Sequence, residues 1–131
     1  MAKLIQAVGA YGPRVEVART VQTRQIAEYI ASRTSLNRGE IEGILRELNE
    51  AIVFFTKQGD AVKLENVGTF TPTIDLGGVL DVGFRLDTSI DGALNATGAF
   101  TGDVANRENV GKSSADLKQL WNTAHPDDLI P

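Results

Sequence analysis

The chain has 131 residues, and 42% of them are hydrophobic, which is enough to bury the core of one domain. Its 13 basic and 17 acidic side chains give a net charge of −4, whereas domains that bind nucleic acid through a basic surface usually carry a strong positive balance. The absence of cysteine excludes disulfides and thiol chemistry. With His125 as the only histidine, we expect no metal site and no cofactor.

The sequence contains no pattern typical of a membrane segment or of a catalytic centre. No apolar run approaches the roughly 20 residues of a membrane-spanning helix. The N-terminal residues are too few and too polar for a signal peptide, so we expect a soluble cytoplasmic protein without a membrane partner. Gly111-Lys112-Ser113 lacks the earlier glycine of a phosphate-binding loop, and Asp127 and Asp128 lie in a predicted solvated tail. We therefore do not expect an enzyme.

The charge is distributed unevenly along the chain. Residues 1–70 hold nine basic and eight acidic side chains, whereas residues 71–131 hold four basic and nine acidic ones. Because nonspecific DNA affinity comes largely from neutralised phosphates, the first half is the better place to look for such contacts. Arg19 and Arg24 have the fewest acidic neighbours there. The alternative is that the basic side chains of this half pair with its glutamates and create no strong field.

Residues 1–21 are predicted to form an extended leader. Residues 3–8 and 14–21 both have the composition of strands, with Val15 and Val17 alternating with polar residues in the second. A turn at Tyr11-Gly-Pro13 lies between them. The pattern favours an N-terminal hairpin.

Two helices are predicted next. The first covers about 24–33, with Thr23 as its N-cap. The second covers about 39–58, because apolar residues recur there at spacings of three and four from Ile41 to Phe55. Asn37 is placed to cap its start, and Gly59 is free to take the left-handed conformation that ends a helix.

Three short strands and a short helix follow. The strands are predicted near 61–65, 69–74 and 79–85, with turns at Asn66-Val-Gly68 and Gly77-Gly78. The helix is predicted over 87–94, with Asp87 or Thr88 as its N-cap.

The remaining residues, 95–131, are predicted to form a linker and a C-terminal tail. Residues 95–112 are rich in glycine, asparagine and threonine and show no sustained period. A short helix near 114–123 places Leu117, Leu120 and Trp121 on one face. This face either folds back on its own chain or contacts a protein partner, since tryptophan is favoured as an interface anchor.

The stretch Gly59-Asp-Ala-Val-Lys-Leu-Glu-Asn-Val-Gly-Thr-Phe-Thr-Pro72 resembles the strand–turn–strand segment of the HU and integration-host-factor family of DNA-bending proteins. The resemblance covers residues 22–94 and implies an α+β fold in which two helices precede a three-stranded antiparallel sheet and a short helix. The leader is similar to the strand extension of divergent HU-like domains. Family members are obligate dimers, so the resemblance implies a homo-oligomer whose shared core includes candidates from the second helix and the sheet: Phe54, Phe55, Phe70 and Phe84.

The chain departs from this family where the DNA-binding arm is expected. The family has a long arm rich in arginine, lysine and proline that enters the minor groove. Here residues 73–85 are short, contain two aspartates, and have Arg85 as their single basic residue. Arg85 is the one residue of this stretch for which the resemblance implies a phosphate contact.

Two functions remain open from the sequence. The first is a dimeric, HU-like architectural protein that binds double-stranded DNA through Arg19, Arg24 and Arg85 instead of an arm. The second is an HU-derived structural or assembly protein that has lost DNA binding. It would act through protein–protein contacts of its sheet and C-terminal tail.

Overall fold

The computed structural model describes residues 1–131, and the chain divides into two compact units. The first unit combines residues 1–20 with residues 101–131, and the second unit comprises residues 21–100. In chain order, the elements are α1 (Leu4–Tyr11), β1 (Arg14–Glu16), α2 (Thr23–Arg33), α3 (Arg38–Lys57), β2 (Val62–Leu64), β3 (Gly68–Ile74), β4 (Leu80–Leu86), α4 (Thr88–Asn95), β5 (Asp103–Ala105) and α5 (Ser114–Ala124). A single 3₁₀ turn, Arg107–Asn109, lies between β5 and α5. None of these helices is both long and apolar enough to cross a membrane.

The predicted N-terminal hairpin is wrong, because residues 4–11 form the helix α1. Leu4, Ala7, Val8 and Tyr11 recur at helical spacings, and Ala7 is completely buried. The β-branched residues favoured a strand, but packing of α1 against α5 overrides that preference. Residues 14–16 do form a strand, and its antiparallel partner is β5 rather than residues 3–8.

The first unit is held together by a small apolar cluster from both ends of the chain. The buried members are Ala2, Ala7, Leu117 and Ile130. Tyr11, Leu120 and Trp121 pack around them and are partly buried. The helical face of the tail therefore folds back on its own chain, which was one of the two possibilities open from the sequence. The predicted linker 95–112 is also not free of structure, since it contains β5 and the 3₁₀ turn.

Two asparagines join the end of α1 to the C-terminal segment. Asn106 Nδ2 donates to the carbonyl oxygens of Ala10 and Gly12, each at 3.0 Å. Asn109, only 4% exposed, donates from Nδ2 to the Tyr11 carbonyl at 2.7 Å. The last carbonyls of a helix have no partner within the helix, so these side chains satisfy them from almost a hundred residues away.

The helices of the second unit begin and end close to the predicted positions. The N-cap of α2 is Gln22 rather than Thr23, which is already the first helical residue. Asn37 caps α3 as predicted and accepts a hydrogen bond from the Glu40 amide at 2.9 Å. Gly59 follows the end of α3 with a φ of +85°. The Asp60 amide reaches back to the Phe55 carbonyl at 3.2 Å, which satisfies one of the last carbonyls of the helix.

The sheet of the second unit has the order β2-β3-β4, with both pairs antiparallel. Its turns have the backbone conformations that the sequence indicates, with Asn66 at a φ of +66° and Gly78 at +85°. Asp87 is the N-cap of α4 and accepts a hydrogen bond from the Ser89 amide at 3.0 Å. The α+β class is confirmed. The strand β1 and the helix α5 lie where a strand over 14–21 and a helix near 114–123 were predicted, and the chain adds α1 and β5 to the elements that were expected.

Candidate functional site

The sheet of the second unit has one apolar and one polar face. Directly opposite residues of antiparallel strands lie on the same face, and alternate residues of a strand lie on opposite faces. The register pairs Phe70 with Val62 and with Phe84, and it pairs Pro72 with Val82. By the same alternation, the apolar face comprises Val62, Leu64, Gly68, Phe70, Pro72, Ile74, Leu80, Val82, Phe84 and Leu86.

The second unit covers little of this apolar surface. Ala27 and Ile41 are its only buried hydrophobic side chains. α3 packs against β2 and β3, but Ile74, Leu80 and Phe84 remain exposed. Phe70 and Phe84 contact each other across the strands, with ring centroids 4.7 Å apart. The contact leaves no room for a side chain at Gly68, where a Cβ would lie 2.4 Å from the Phe84 ring.

α3 carries a second exposed apolar surface near its C-terminal end. Phe54 is 59% exposed and Phe55 is 45% exposed, and their rings meet edge to face at 5.2 Å. They line an open groove of about 600 Å³ together with Val53, Glu50 and Lys57. An exposed apolar surface of this kind is typical of a protein contact.

The polar face of the sheet carries a row with two basic residues. Lys63 is opposite Thr69, and Thr69 is opposite Arg85, so the three side chains lie side by side on one face. With Asp87 they line a shallow pocket of about 230 Å³. Lys63 and Arg85 are exposed, and neither forms an ion pair within the chain. Both cations are therefore available to an anionic ligand.

Asp87 borders this row. Its pKa is lowered from the usual aspartate range, chiefly because the Ser89 hydroxyl and amide donate to the carboxylate, with a smaller contribution from Lys63. The carboxylate is thus charged at neutral pH and offsets part of the positive charge of the row.

The other two arginines predicted to bind DNA have different surroundings. Arg24 Nε lies 3.3 Å from Glu28 Oε1, and the same oxygen lies 3.5 Å from Arg38 Nη1. The charge of Arg24 is therefore partly neutralised, as the alternative of paired charges predicted. Arg19 is exposed, forms no ion pair within the chain, and belongs to the first unit.

The hairpin between β3 and β4 occupies the place of the family's arm. Its turn is closed by the carboxylate of Asp75, which accepts a hydrogen bond from the Val79 amide at 3.0 Å. Leu76 at the tip is fully exposed, and Asp81 follows on the polar face. No basic side chain lies between Asp75 and Asp81, so this hairpin lacks the charges that hold a minor-groove arm on DNA.

Sequence reasoning did not single out Lys63 and Thr69 as partners of Arg85. The alternation of Lys63, Thr69, Thr71 and Thr73 with apolar residues was a usable signal for a polar face. The row itself depends on cross-strand register, which alternation within single strands does not supply. Of the candidate partner anchors in the tail, Leu117 is buried by residues of its own chain, and Leu120 and Trp121 are partly buried.

The order of α2, α3, the three-stranded sheet and α4 is consistent with an HU-like domain. A family model described as "HU domain fused to wHTH, Ig, or Glycine-rich motif" matches residues 6–88, which is more than half of the chain. The protein belongs to this HU domain family. The match begins within α1 and therefore extends beyond the region of the resemblance seen in the sequence. No curated protein matches the chain.

Proposed function

We propose that the protein is an HU-like architectural protein that binds double-stranded DNA as a homodimer. The observation that carries this proposal is the two-faced sheet. Its apolar face is left largely uncovered by its own chain, and its polar face presents Lys63 and Arg85 without ion-pair partners. The first face suits a second copy of the chain, and the second suits a phosphate backbone.

The case for a dimer rests on the small core of the second unit. A domain of this size is stabilised mainly by apolar burial, yet only Ala27 and Ile41 are buried hydrophobic residues here. Phe54, Phe55 and Phe84 offer large aromatic surfaces on α3 and on the sheet. A second copy that covers them supplies the missing burial, and it removes an exposed apolar surface from water.

The case for DNA rests on the row Lys63–Thr69–Arg85. Phosphate oxygens accept hydrogen bonds from lysine, arginine and threonine side chains, and such contacts position a protein on the duplex without reading its sequence. In a dimer the row occurs twice, and Arg19 adds a further unpaired cation in each first unit. Because the hairpin lacks the basic residues of the family's arm, these phosphate contacts replace the insertion of an arm into the minor groove. We therefore expect little sequence preference.

The first test is fluorescence anisotropy of a labelled duplex of ~30 base pairs at ~50 mM and ~200 mM salt. Binding through a small number of phosphate contacts should weaken steeply between these conditions. A duplex that stays free even at the lower salt concentration would contradict the proposal. That result would favour an assembly role of the protein without DNA.

Charge-reversal variants then identify the residues that contact DNA. We expect Arg85→Glu to weaken binding at ~50 mM salt by roughly tenfold or more and to flatten the salt dependence. Arg107→Glu is the matched control, because it makes the same charge change at an arginine whose hydrogen bond is to the Gly102 carbonyl in the first unit. We expect Arg24→Glu to have a smaller effect than Arg85→Glu, since Glu28 already neutralises part of its charge. Equal losses in Arg85→Glu and Arg107→Glu would show only a dependence on net charge.

A further inference from the structure

The outer edge of β4 is a seven-residue strand edge with no partner in the chain. β4 is the last strand of the sheet, it pairs only with β3, and every residue from Leu80 to Leu86 is exposed. An open edge of this length is a template for pairing with another strand. It is distinct from the apolar face of the sheet, because it offers backbone groups rather than side chains.

The groups that point outwards can be assigned from side-chain contacts. Thr73 Oγ1 of β3 contacts the Asp81 carbonyl at 3.4 Å, so the backbone of Asp81 faces β3. The amide of the next residue, Val82, donates to the carboxylate of Asp81 at 2.7 Å instead of to β3. Since backbone groups alternate in direction along a strand, those of Leu80, Val82, Phe84 and Leu86 face the open edge.

The sequence of this edge is self-complementary about Gly83. We propose that β4 pairs antiparallel with β4 of a second copy, with the two-fold axis at Gly83. Asp81 then lies opposite Arg85 of the second copy, and Arg85 lies opposite its Asp81. On the other face Val82 meets Phe84, and Leu80 meets Leu86, so the apolar surface continues across the junction.

The assigned backbone directions agree with this register. Val82 and Phe84, whose groups face outwards, form the hydrogen-bonded pairs. Gly83 and the Asp81–Arg85 pairs occupy the non-hydrogen-bonded positions, where opposite side chains are closest. On pairing, the Val82 amide donates to the Phe84 carbonyl of the second copy, and the Asp81 carboxylate is released to Arg85. In the single chain, Asp81 shields this amide, which limits unspecific pairing of the edge.

Edge pairing goes beyond the proposed DNA-binding dimer, because that dimer is formed through apolar faces and leaves β4 edges free. Edge pairing would join such dimers into larger assemblies, since each of their two copies carries one open β4 edge. Arg85 is also a proposed phosphate contact, so DNA and edge pairing compete for this side chain. The test is therefore made without DNA.

The experiment is sedimentation equilibrium of the full chain and its charge-swap variants over a concentration series. Asp81→Arg places like charges opposite each other twice, and so does Arg85→Asp, so each variant alone should have a lower mass than the wild-type assembly. An equimolar mixture of the two variants restores opposite charges at both positions and should regain the wild-type mass. The double variant Asp81→Arg/Arg85→Asp should also regain it. A wild-type mass in either single variant overturns the proposal, as does a mixture whose mass stays at that of the single variants.

A backbone variant separates edge pairing from DNA binding. Val82→Pro removes an amide that has no partner in β3, so the sheet should tolerate the change while the edge loses its central hydrogen bond. Val82→Ala is the control, because it keeps the amide. We expect Val82→Pro to lower the mass and to bind DNA at least as tightly as the wild type, since Lys63 and Arg85 are unchanged and Arg85 no longer pairs with Asp81 of a second copy. If Val82→Pro keeps the wild-type mass, edge pairing is contradicted and the proposed DNA binding is not affected. A loss of DNA binding in Arg85→Glu but not in Val82→Pro bears on the proposed function and not on edge pairing.

Discussion

Asp87 shows how a single residue combines folding and charge in this protein. Its carboxylate caps α4 through the Ser89 amide, and the Ser89 hydroxyl also donates to it. It closes the row formed by Lys63 and Arg85 on the polar face. These contacts favour the ionised form, and its pKa is lowered as a result.

The pH dependence follows from that direction. Because the folded-state pKa lies below the unfolded value, the stabilisation by Asp87 is present at neutral pH and is lost as the pH falls through the lowered pKa. We expect the NMR resonance of the Ser89 amide to follow the titration of Asp87, with a midpoint below the ordinary aspartate pKa of about 3.9. In Asp87→Asn this transition should be absent. A Ser89 transition with its midpoint at or above the ordinary aspartate pKa would contradict the assigned hydrogen bonds.

At the scale of secondary-structure elements, α3 has two roles. One side of the helix packs on β2, β3 and α2, and the other presents Phe54 and Phe55. Adjacent residues of a helix point about 100° apart, so one narrow core cannot bury both rings. The feature of α3 that most favours contact with a second copy of the chain is this pair of exposed aromatic rings in an open groove.

We therefore expect Phe54→Asp to disrupt the proposed face-to-face dimer and to reduce the mass in sedimentation or light scattering. The introduced carboxylate would have to be buried without a partner, which costs more than the lost apolar contact. Gln25→Glu is the control and should keep the wild-type mass, because it adds the same charge at an exposed residue of α2 outside this groove, and its side-chain oxygen can still accept from the Gln22 amide. If Phe54→Asp keeps its wild-type mass as well, α3 is not part of an interface.

At the scale of the whole molecule, the two ends of the chain fold together. β1 pairs with β5, and α1 packs on α5, so the first unit is built from segments that flank the second unit in the sequence. Its apolar cluster is small, and hydrogen bonds from Asn106 and Asn109 join the two segments. The first unit is therefore expected to be sensitive to single polar contacts.

Asn109→Ala tests this expectation. The change leaves the Tyr11 carbonyl without its donor and should destabilise the first unit by about 1–3 kcal/mol. Hydrogen exchange of the α1 amides should accelerate accordingly, while exchange in α3 stays unchanged. Asn95→Ala is the control, because the Asn95 side chain is exposed and donates locally to the Asp91 carbonyl within α4. Unchanged exchange in α1 would show that Asn109 does not hold the two segments together.

Much of the second unit was predictable because its signals are local. The apolar period of α3, the cap at Asn37 and the left-handed Gly59 depend on residues within a turn or two of each other. The same holds for the turn at Gly78. The leader was mispredicted because Ile5 and Val8 have strand preferences that only a distant helix, α5, overrides.

The candidate site was predictable only in part, for a related reason. Arg85 was identified from its position, and Phe54, Phe55, Phe70 and Phe84 from the family resemblance. The grouping of Lys63 with Arg85, the neutralisation of Arg24 by Glu28, and the open edge of β4 became visible with the strands and helices in place. Each of these depends on which segments lie side by side.

From its sequence alone, this protein is an α+β chain with an HU-like order of helices and strands, an acidic balance and no basic arm, since these follow from composition and short-range patterns. Its tertiary structure decides that the two chain ends form one unit, that the sheet separates an apolar face from a polar one, and which cations stay unpaired. The physical reason is the separation along the chain over which each kind of interaction acts. Capping, periodicity and turn conformation act between near neighbours, whereas register, burial and ion pairing depend on contacts between residues far apart in the chain.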